Sequence, residues 1–335
     1  MTDIKRKKSR VYFYRLALGK RTNRDLFRKN VLSLWEIFDN REYAKVPELV
    51  IDDQRVYVSA MEKVPLGLKM LPGGAMLDSF ALMMNLQRIN PNEPVSFGDL
   101  TMPLNERLKT LSNELEDMQE ESTHAKNLMN QINAGNIGPL VNSPILYDPF
   151  RRILLRVRQA GDLTNNQLVR YLKSTFESPG AYLQIILDGQ STSDIDGFDL
   201  LTELSYAVAS PDNFASFADN DRNEFKDLAA ASDMNSQDIK VVMTGPNLTK
   251  RRAKKKIDKL LSTSDGLETK KATVKGISDG SLEEIDFIKN RLRYDGDINY
   301  DPKKGITIKD NFNFMSWAYK QKINFIDDRY NLEWD

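Results

Sequence analysis

The order of apolar and polar positions along this 335-residue chain predicts a mixture of strands and helices. The apolar run VYFYRLAL at 11–18 is typical of a strand, and LVIDDQRVYVSAM at 49–61 predicts two strands around a turn at Asp52 and Asp53. A further strand pair is expected around the Pro72–Gly74 breaker. Between the first two strand regions, apolar residues recur at helical spacing: Phe27, Val31, Leu34, Trp35 and Phe38.

Residues 101–133 have a different pattern, because mostly apolar positions follow an unbroken alternation of four and three residues, which weakens at Ser122 and Ala125. This heptad spacing predicts one long helix. The flanking charges form no complementary code, so the partner is either a second copy of the chain in a coiled coil or another helix of the same copy. The positions of the heptad seam are Leu104, Leu108, Leu111, Leu115, Met118, Ser122, Ala125, Met129 and Ile132.

The second half of the chain again alternates between both kinds of pattern, and the predicted fold class is α+β. We expect mixed, largely antiparallel sheets with flanking helices and the one long heptad-patterned helix. The predicted strands are two around a turn at Asp148 and Pro149, then 181–189, 239–245 and 267–277; the predicted helices are 162–176, the acidic 197–209 and 214–231, 282–292, and a last one carrying Phe312 to Phe325. The predicted segments are an N-terminal α+β lobe at 1–100, the long helix at 101–133, a middle α+β segment with acidic helices at 141–238 and a C-terminal α+β lobe at 239–335.

Composition excludes several classes of site. The chain has no cysteine and one histidine, which removes disulfides, cysteine-based metal sites and multi-histidine zinc centres. The motif GxxxxGK[ST] of phosphate-binding loops is absent, and we predict no cofactor. No run approaches the ~18 apolar residues of a membrane span. We therefore expect a cytoplasmic protein that is not embedded in a membrane.

Charge is strongly segregated although the formal net charge is +0. Seven cationic side chains fall within the ten positions 250–259, and the N-terminus begins with a second basic run. Residues 186–238 are acidic instead. Segregated charge produces a local potential that attracts oppositely charged partners. We predict that these basic residues bind the phosphate backbone of a nucleic acid: Lys250, Arg251, Arg252, Lys254, Lys255, Lys256 and Lys259, with Lys5, Arg6, Lys7, Lys8 and Arg10 as a terminal arm.

The basic run at 250–261 is predicted to be a helix that starts after Thr249 at the N-cap. Its apolar positions fall on one face and anchor it: Ala253, Ile257, Leu260 and Leu261. Two other functions stay open. The carboxylates of Asp194, Asp196 and Asp199 suggest a Mg²⁺-dependent nuclease, while pairing of the basic and acidic regions between copies suggests a non-catalytic oligomeric adaptor. Helix capping by the same acidic residues is the simpler interpretation of that cluster.

Three stretches together resemble the RexA family of phage-exclusion proteins and related bacterial mobile-element proteins. They are VYFYRL at 11–16, PILYDPFRRILLRVRQAGDLTNNQLVRYL at 144–172, and IKVVMTGPNLTKRRAKKKIDKLL at 239–261 followed by ATVKGISDGS. The likeness lies in the order of elements and not in a motif. It implies a dimeric, double-stranded DNA-binding protein of low sequence specificity that senses or regulates an abortive-infection response, with an effector protein as a further partner.

Overall fold

The computed structural model describes residues 4–19, 23–70, 76–90, 96–98, 108–110, 126–130, 139–189, 191–209, 238–263 and 268–329. Within these ranges the chain forms two main antiparallel sheets with helices packed on them, which confirms the α+β class. The helices are α1 (Arg24–Asp39), α2 (Asn165–Thr175), α3 (Lys250–Leu260) and α4 (Ile308–Arg329). Two short 3₁₀ helices occupy Tyr43–Lys45 and Thr192–Gly197.

The larger sheet has eight strands among the described residues: β1 (Lys5–Leu18), β2 (Glu48–Ile51), β3 (Gln54–Met70), β4 (Met76–Ile89), β7 (Leu140–Asp148), β8 (Ile153–Val157), β9 (Ala181–Ile185) and β14 (Arg293–Tyr300). Their order is β14-β1-β8-β7-β4-β3-β2, with β9 also paired to β1. This sheet therefore takes strands from three of the four predicted segments.

The second half of strand β1 is covered on both faces of the sheet, because Val11 to Tyr14 and Leu16 are buried. Tyr12, Tyr14 and Leu16 pack in a core with α1 and α2, whereas Val11 and Phe13 pack in a second core with α4. Successive side chains of a strand point to opposite faces, so a continuous apolar run such as VYFYRLAL is what a covered strand requires.

The smaller sheet has the order β11-β10-β12-β13 and packs against α3 in a core of its own. Its strands are β10 (Leu200–Ala209), β11 (Asp238–Thr244), β12 (Thr269–Ser278) and β13 (Ser281–Asp286). It is inserted in the chain between β9 and β14, which both pair with the same side of β1. A backbone hydrogen bond ties α3 to the larger sheet, since Ile185 N–H of β9 donates to the carbonyl of Leu261, the residue after α3, at 2.8 Å.

Two predicted helices are strands. Residues 200–209, predicted as part of an acidic helix, form β10, in which Leu204, Tyr206 and Val208 are buried at the two-residue spacing of a strand. Residues 281–286, within the helix predicted at 282–292, form β13. In both cases hydrogen bonding to β12 outweighs the local helical spacing. The acidic helix predicted at 214–231 lies outside the described residues.

The long heptad helix is not confirmed. Within it, Leu108–Thr110 form strand β6, which pairs with β5 (Ser96–Gly98). Residues 126–130 are helical, and the rest of 101–133 lies outside the described residues. A helix cannot run unbroken through 108–110, because those backbone groups are in an antiparallel pair.

Candidate nucleic-acid interface

Helix α3 forms as predicted, with its apolar face buried. The backbone of Thr249 is extended at the N-cap position, although its side chain makes no capping hydrogen bond. Ala253, Ile257 and Leu260 are buried against the smaller sheet, together with Leu261 after the helix. At 100° per residue the three helical positions lie within about 60° of one another, so the helix has a narrow apolar stripe and a wide charged arc.

Three of the seven cations in α3 lie at the borders of the buried stripe and contact the protein itself. The Lys250 ammonium donates to the backbone carbonyl of Asp196 at 3.2 Å and to that of Phe198. The Lys254 ammonium lies 2.6 Å from the Asp196 carboxylate. On the other border, Lys256 Nζ lies 4.7 Å from the centre of the Tyr206 ring, a cation–π distance. These lysines fix the helix to its surroundings.

Arg251, Arg252 and Lys255 form what we call the basic stripe. Their side chains are exposed, and they make no ion pair with any residue in the described ranges. Arg251 and Lys255 are four residues apart on one helical face, where like charges repel by a few tenths of a kcal/mol. Lys259 lies on the same side of the helix but is half-buried and has a contact of its own. The stripe is thus a positive surface on a helix whose opposite face is buried, and Asp258 is the one exposed carboxylate within α3.

The acidic residues proposed for a nuclease do not gather. Asp194 accepts a hydrogen bond from Ser191 N–H at 2.9 Å and so caps the 3₁₀ helix. Asp196 pairs with Lys254, and Asp199 accepts from Asp279 N–H at 3.1 Å. Among the residues that the structure describes, no group of three or more His, Cys, Asp or Glu side chains could hold a metal ion.

The N-terminal basic run is not an arm. Residues Lys5 to Arg10 belong to β1 and pair with β14 in continuous register, from Lys5 opposite Tyr300 to Arg10 opposite Asp295. The run forms a strand because β14 offers it both a hydrogen-bonding edge and carboxylates. Within the described ranges, Arg10 is the one cation of this run with a close ion pair, since its guanidinium hydrogen-bonds the Asp295 carboxylate.

The Asp295 carboxylate is also 3.0 Å from Arg293 Nε. Burial opposes its ionisation, but the hydrogen bonds from Arg10 and Arg293 outweigh burial, so the pKa of Asp295 lies below its usual value. The remaining N-terminal cations have no ion pair within the described part of the chain: Lys5, Arg6, Lys7 and Lys8.

An open cleft of about 740 Å³ lies beside this strand. We call it the β1 cleft. Its lining residues are Lys7, Lys8, Ser9, Arg10, Tyr12, Arg158, Gln159, Ala160, Asp295, Gly296, Asp297, Ile298 and Ile306. The sequence does not single out Arg158, because its partner Glu268 lies 110 residues further along the chain, at 2.5 Å in space.

The Arg158–Glu268 pair joins the end of β8 to the residue before β12, and hence the larger sheet to the smaller. Burial lowers the pKa of Arg158. The charge of Glu268 and its hydrogen bond raise this pKa by more than burial lowers it, so the pKa lies above its usual value. Arg158 therefore keeps its charge in the cleft wall.

Comparison with known proteins adds nothing to these observations, since neither a family model nor a curated protein matches the chain. Over the described residues, no helix is both long and apolar enough to cross a lipid bilayer.

Proposed function

We propose that this protein binds double-stranded DNA through the phosphate backbone, with low sequence specificity. The observation that supports this most is the basic stripe: Arg251, Arg252 and Lys255 are exposed on a helix whose opposite face is buried, and they lack ion pairs within the described residues. Such a surface neutralises phosphates and releases the cations condensed on the duplex, which favours binding. Contacts to phosphate carry no base information, which is why low specificity is expected.

The fold assigns different roles to the cations that the sequence groups together. Lys250, Lys254 and Lys256 hold α3 in place and present the stripe, while Lys5 and Arg6 at the exposed end of β1 add a second contact on the other sheet. Arg10 is already paired with Asp295. The duplex contact therefore depends mainly on the stripe, with Lys5 and Arg6 as a smaller contribution.

The biological setting of the proposal comes from the resemblance to the RexA family. It supports a cytoplasmic sensor or regulator of an abortive-infection response, acting as a dimer and passing its signal to an effector protein. The elements that carry the resemblance include β1, the β7–β8 hairpin followed by α2, and β11 followed by α3.

Replacing Arg252 and Lys255 by Glu is expected to weaken binding to any duplex by at least about tenfold. Two phosphate contacts are lost, and each contributes about 0.9 to the slope of log K against log[salt], so the slope should become shallower by about 2. Fluorescence anisotropy with two unrelated duplexes, over a range of salt concentrations, measures both quantities.

The matched control for this experiment is Lys29→Glu with Lys320→Glu. Both lysines are exposed on other helices, α1 and α4, and the change in net charge is the same. The control should keep the slope of the wild type. Equal losses in the two double variants would mean that only overall charge matters, and the stripe would then not be the interface.

Asp196→Ala is expected to leave DNA binding intact or to strengthen it up to a few-fold. The substitution removes a negative charge beside α3 and releases the Lys254 ammonium from its 2.6 Å ion pair. Asp78→Ala, at an exposed position in β4, gives the same change in charge away from the helix. If the wild type instead nicked plasmid DNA with Mg²⁺ or Mn²⁺ and Asp196→Ala abolished this, a nuclease would replace the binding protein.

A further inference from the structure

The β1 cleft lies beside the part of β1 that, among the described residues, pairs with a strand on one side only. Strand β8 pairs with β1 only from Val11 to Arg15, and the preceding residues of β1 pair with β14 alone among the described residues. Residues 158–160, just after β8, form the opposite wall of the cleft. One edge of β1 is therefore open along Lys7 and Lys8.

The backbone of β1 places a hydrogen-bond donor in this opening. Leu16 N–H donates to the Arg152 carbonyl on the β8 side, whereas Phe13 N–H donates to Leu292 on the other side. Backbone groups alternate in direction along a strand, and the pairing with β14 shows no register shift. Lys8 lies an even number of residues before Leu16, so the backbone groups of both point to the same side of β1. The N–H and carbonyl of Lys8 therefore face the cleft.

The side chains make the cleft positive. Four cations line it, Lys7, Lys8, Arg10 and Arg158, against two carboxylates, Asp295 and Asp297. Asp295 and Glu268 hold the two arginines in place by ion pairs. Lys7 and Lys8 are exposed and have no ion pair within the described ranges, so their charges are available to a ligand.

We propose that the β1 cleft binds the phosphate groups of a small ligand of nucleotide size, with Lys7, Lys8 and the Lys8 N–H as the phosphate contacts. The volume of about 740 Å³ is within the range of about 300–1,000 Å³ that such ligands occupy. Ile306, which is only half-buried, supplies apolar surface for the rest of the ligand. The site is distinct from the basic stripe and does not depend on DNA binding.

Isothermal titration calorimetry with ATP, ADP, pyrophosphate and adenosine as probes, at physiological salt, tests the proposal. Saturable binding of the phosphorylated probes, with one site per chain, is expected, and adenosine should bind far more weakly. Lys7→Gln with Lys8→Gln should weaken ATP binding by at least about tenfold. Both side chains are exposed, and folding of the variant is checked by its thermal unfolding.

The control variant changes the two preceding residues of the same strand, Lys5→Gln with Arg6→Gln. These side chains carry the same total charge but do not line the cleft, so ATP affinity should stay within about twofold of the wild type. Arg252→Glu with Lys255→Glu should likewise keep ATP binding while losing DNA. This separates failure of the cleft from failure of the stripe.

Three results would overturn the proposal. The first is no saturable binding of any phosphorylated probe. The second is an equal loss in the two strand variants, which would indicate diffuse attraction and no defined site. The third is that a DNA duplex displaces ATP and that the Lys7→Gln, Lys8→Gln variant binds the duplex as weakly as it binds ATP. The phosphates in the cleft would then be those of DNA.

Discussion

Asp148→Ala is expected to lower the free energy of unfolding by about 3–5 kcal/mol, because it removes the fully buried one of the two carboxylates that pair with the buried Arg151. Asp148 and Arg151 are 0% and 1% exposed, and Arg151 Nη1 lies 2.9 Å from Asp148 Oδ2. The other carboxylate oxygen of Asp148 accepts backbone N–H bonds from Phe150 at 2.8 Å and from Arg151 at 3.1 Å. One side chain thus fixes the turn between β7 and β8 and also compensates a buried charge.

The same carboxylate anchors the C-terminal helix. Tyr319 of α4 donates its hydroxyl to Asp148 Oδ2, and Arg151 also pairs with Asp327 at 2.6 Å. Burial, followed by the nearby Asp148 charge, holds the pKa of Tyr319 well above its usual value, so the hydroxyl remains a donor. Loss of Asp148 therefore affects the packing of α4 as well as the turn.

Urea unfolding followed by circular dichroism measures this effect. Asp301→Ala is the matched control, because Asp301 likewise accepts a backbone N–H in a turn, from Lys303 at 2.9 Å, but is only half-buried and near the surface. It should cost about 1 kcal/mol. The double variant Asp148→Ala, Arg151→Met should be more stable than Asp148→Ala alone, since it no longer buries a guanidinium that has lost one of its two carboxylate partners. A double variant that is less stable than the single one would contradict the argument.

Local patterns predicted much of the larger sheet. The β2–β3 and β7–β8 hairpins have turn residues beside apolar runs, and Asp52 and Asp53 adopt the positive φ values of 51° and 59° that such a tight turn requires. Helices α1 and α2 likewise have apolar positions at helical spacing and polar residues at their N-caps. These features depend on residues close together in the chain, so sequence alone is sufficient to find them.

Predictions failed where pairing depends on distant residues. Strand β10 has Leu200, Leu201 and Leu204 at spacings that also suit a helix, and only its position between β11 and β12 makes it a strand. The role of Asp148 was not predicted for a related reason. A sequence shows a turn at Asp148 and Pro149, but not that Tyr319, 171 residues away, reaches the same carboxylate.

The candidate interface likewise has some features that depend on nearby residues and others that depend on distant ones. The helical periodicity of α3 is local, and its buried face was predicted correctly. Which of its cations are available could not be predicted, because that depends on Asp196, which lies 58 residues before Lys254. The strand formed by Lys5 to Arg10 depends in the same way on β14, near the other end of the chain.

Gly276→Ala is expected to destabilise the smaller sheet by about 3 kcal/mol, at the upper end of the usual cost of overpacking. Gly276 lies in β12 between two neighbouring strands, opposite Leu201 of β10 and Glu283 of β13. A Cβ atom there would lie 2.5 Å from ring carbons of Phe198 and 2.6 Å from the backbone oxygen of Leu200. Phe198 is 2% exposed, so its ring has no free space to enter.

The direction of the change in stability distinguishes a steric clash from the usual effect of replacing a glycine in a strand. Without a clash, Ala in place of a strand Gly would stabilise by about 0.5–1 kcal/mol. Gly197→Ala is the matched control one residue before Phe198, because nothing lies within 4 Å of its added Cβ and its φ is not positive. It should leave the urea midpoint nearly unchanged.

Since the Phe198 carbonyl accepts a hydrogen bond from Lys250, displacement of Phe198 should also loosen the start of α3 and weaken binding to DNA. A Gly276→Ala protein as stable as the wild type would show that the Phe198 ring moves freely and does not position the basic helix.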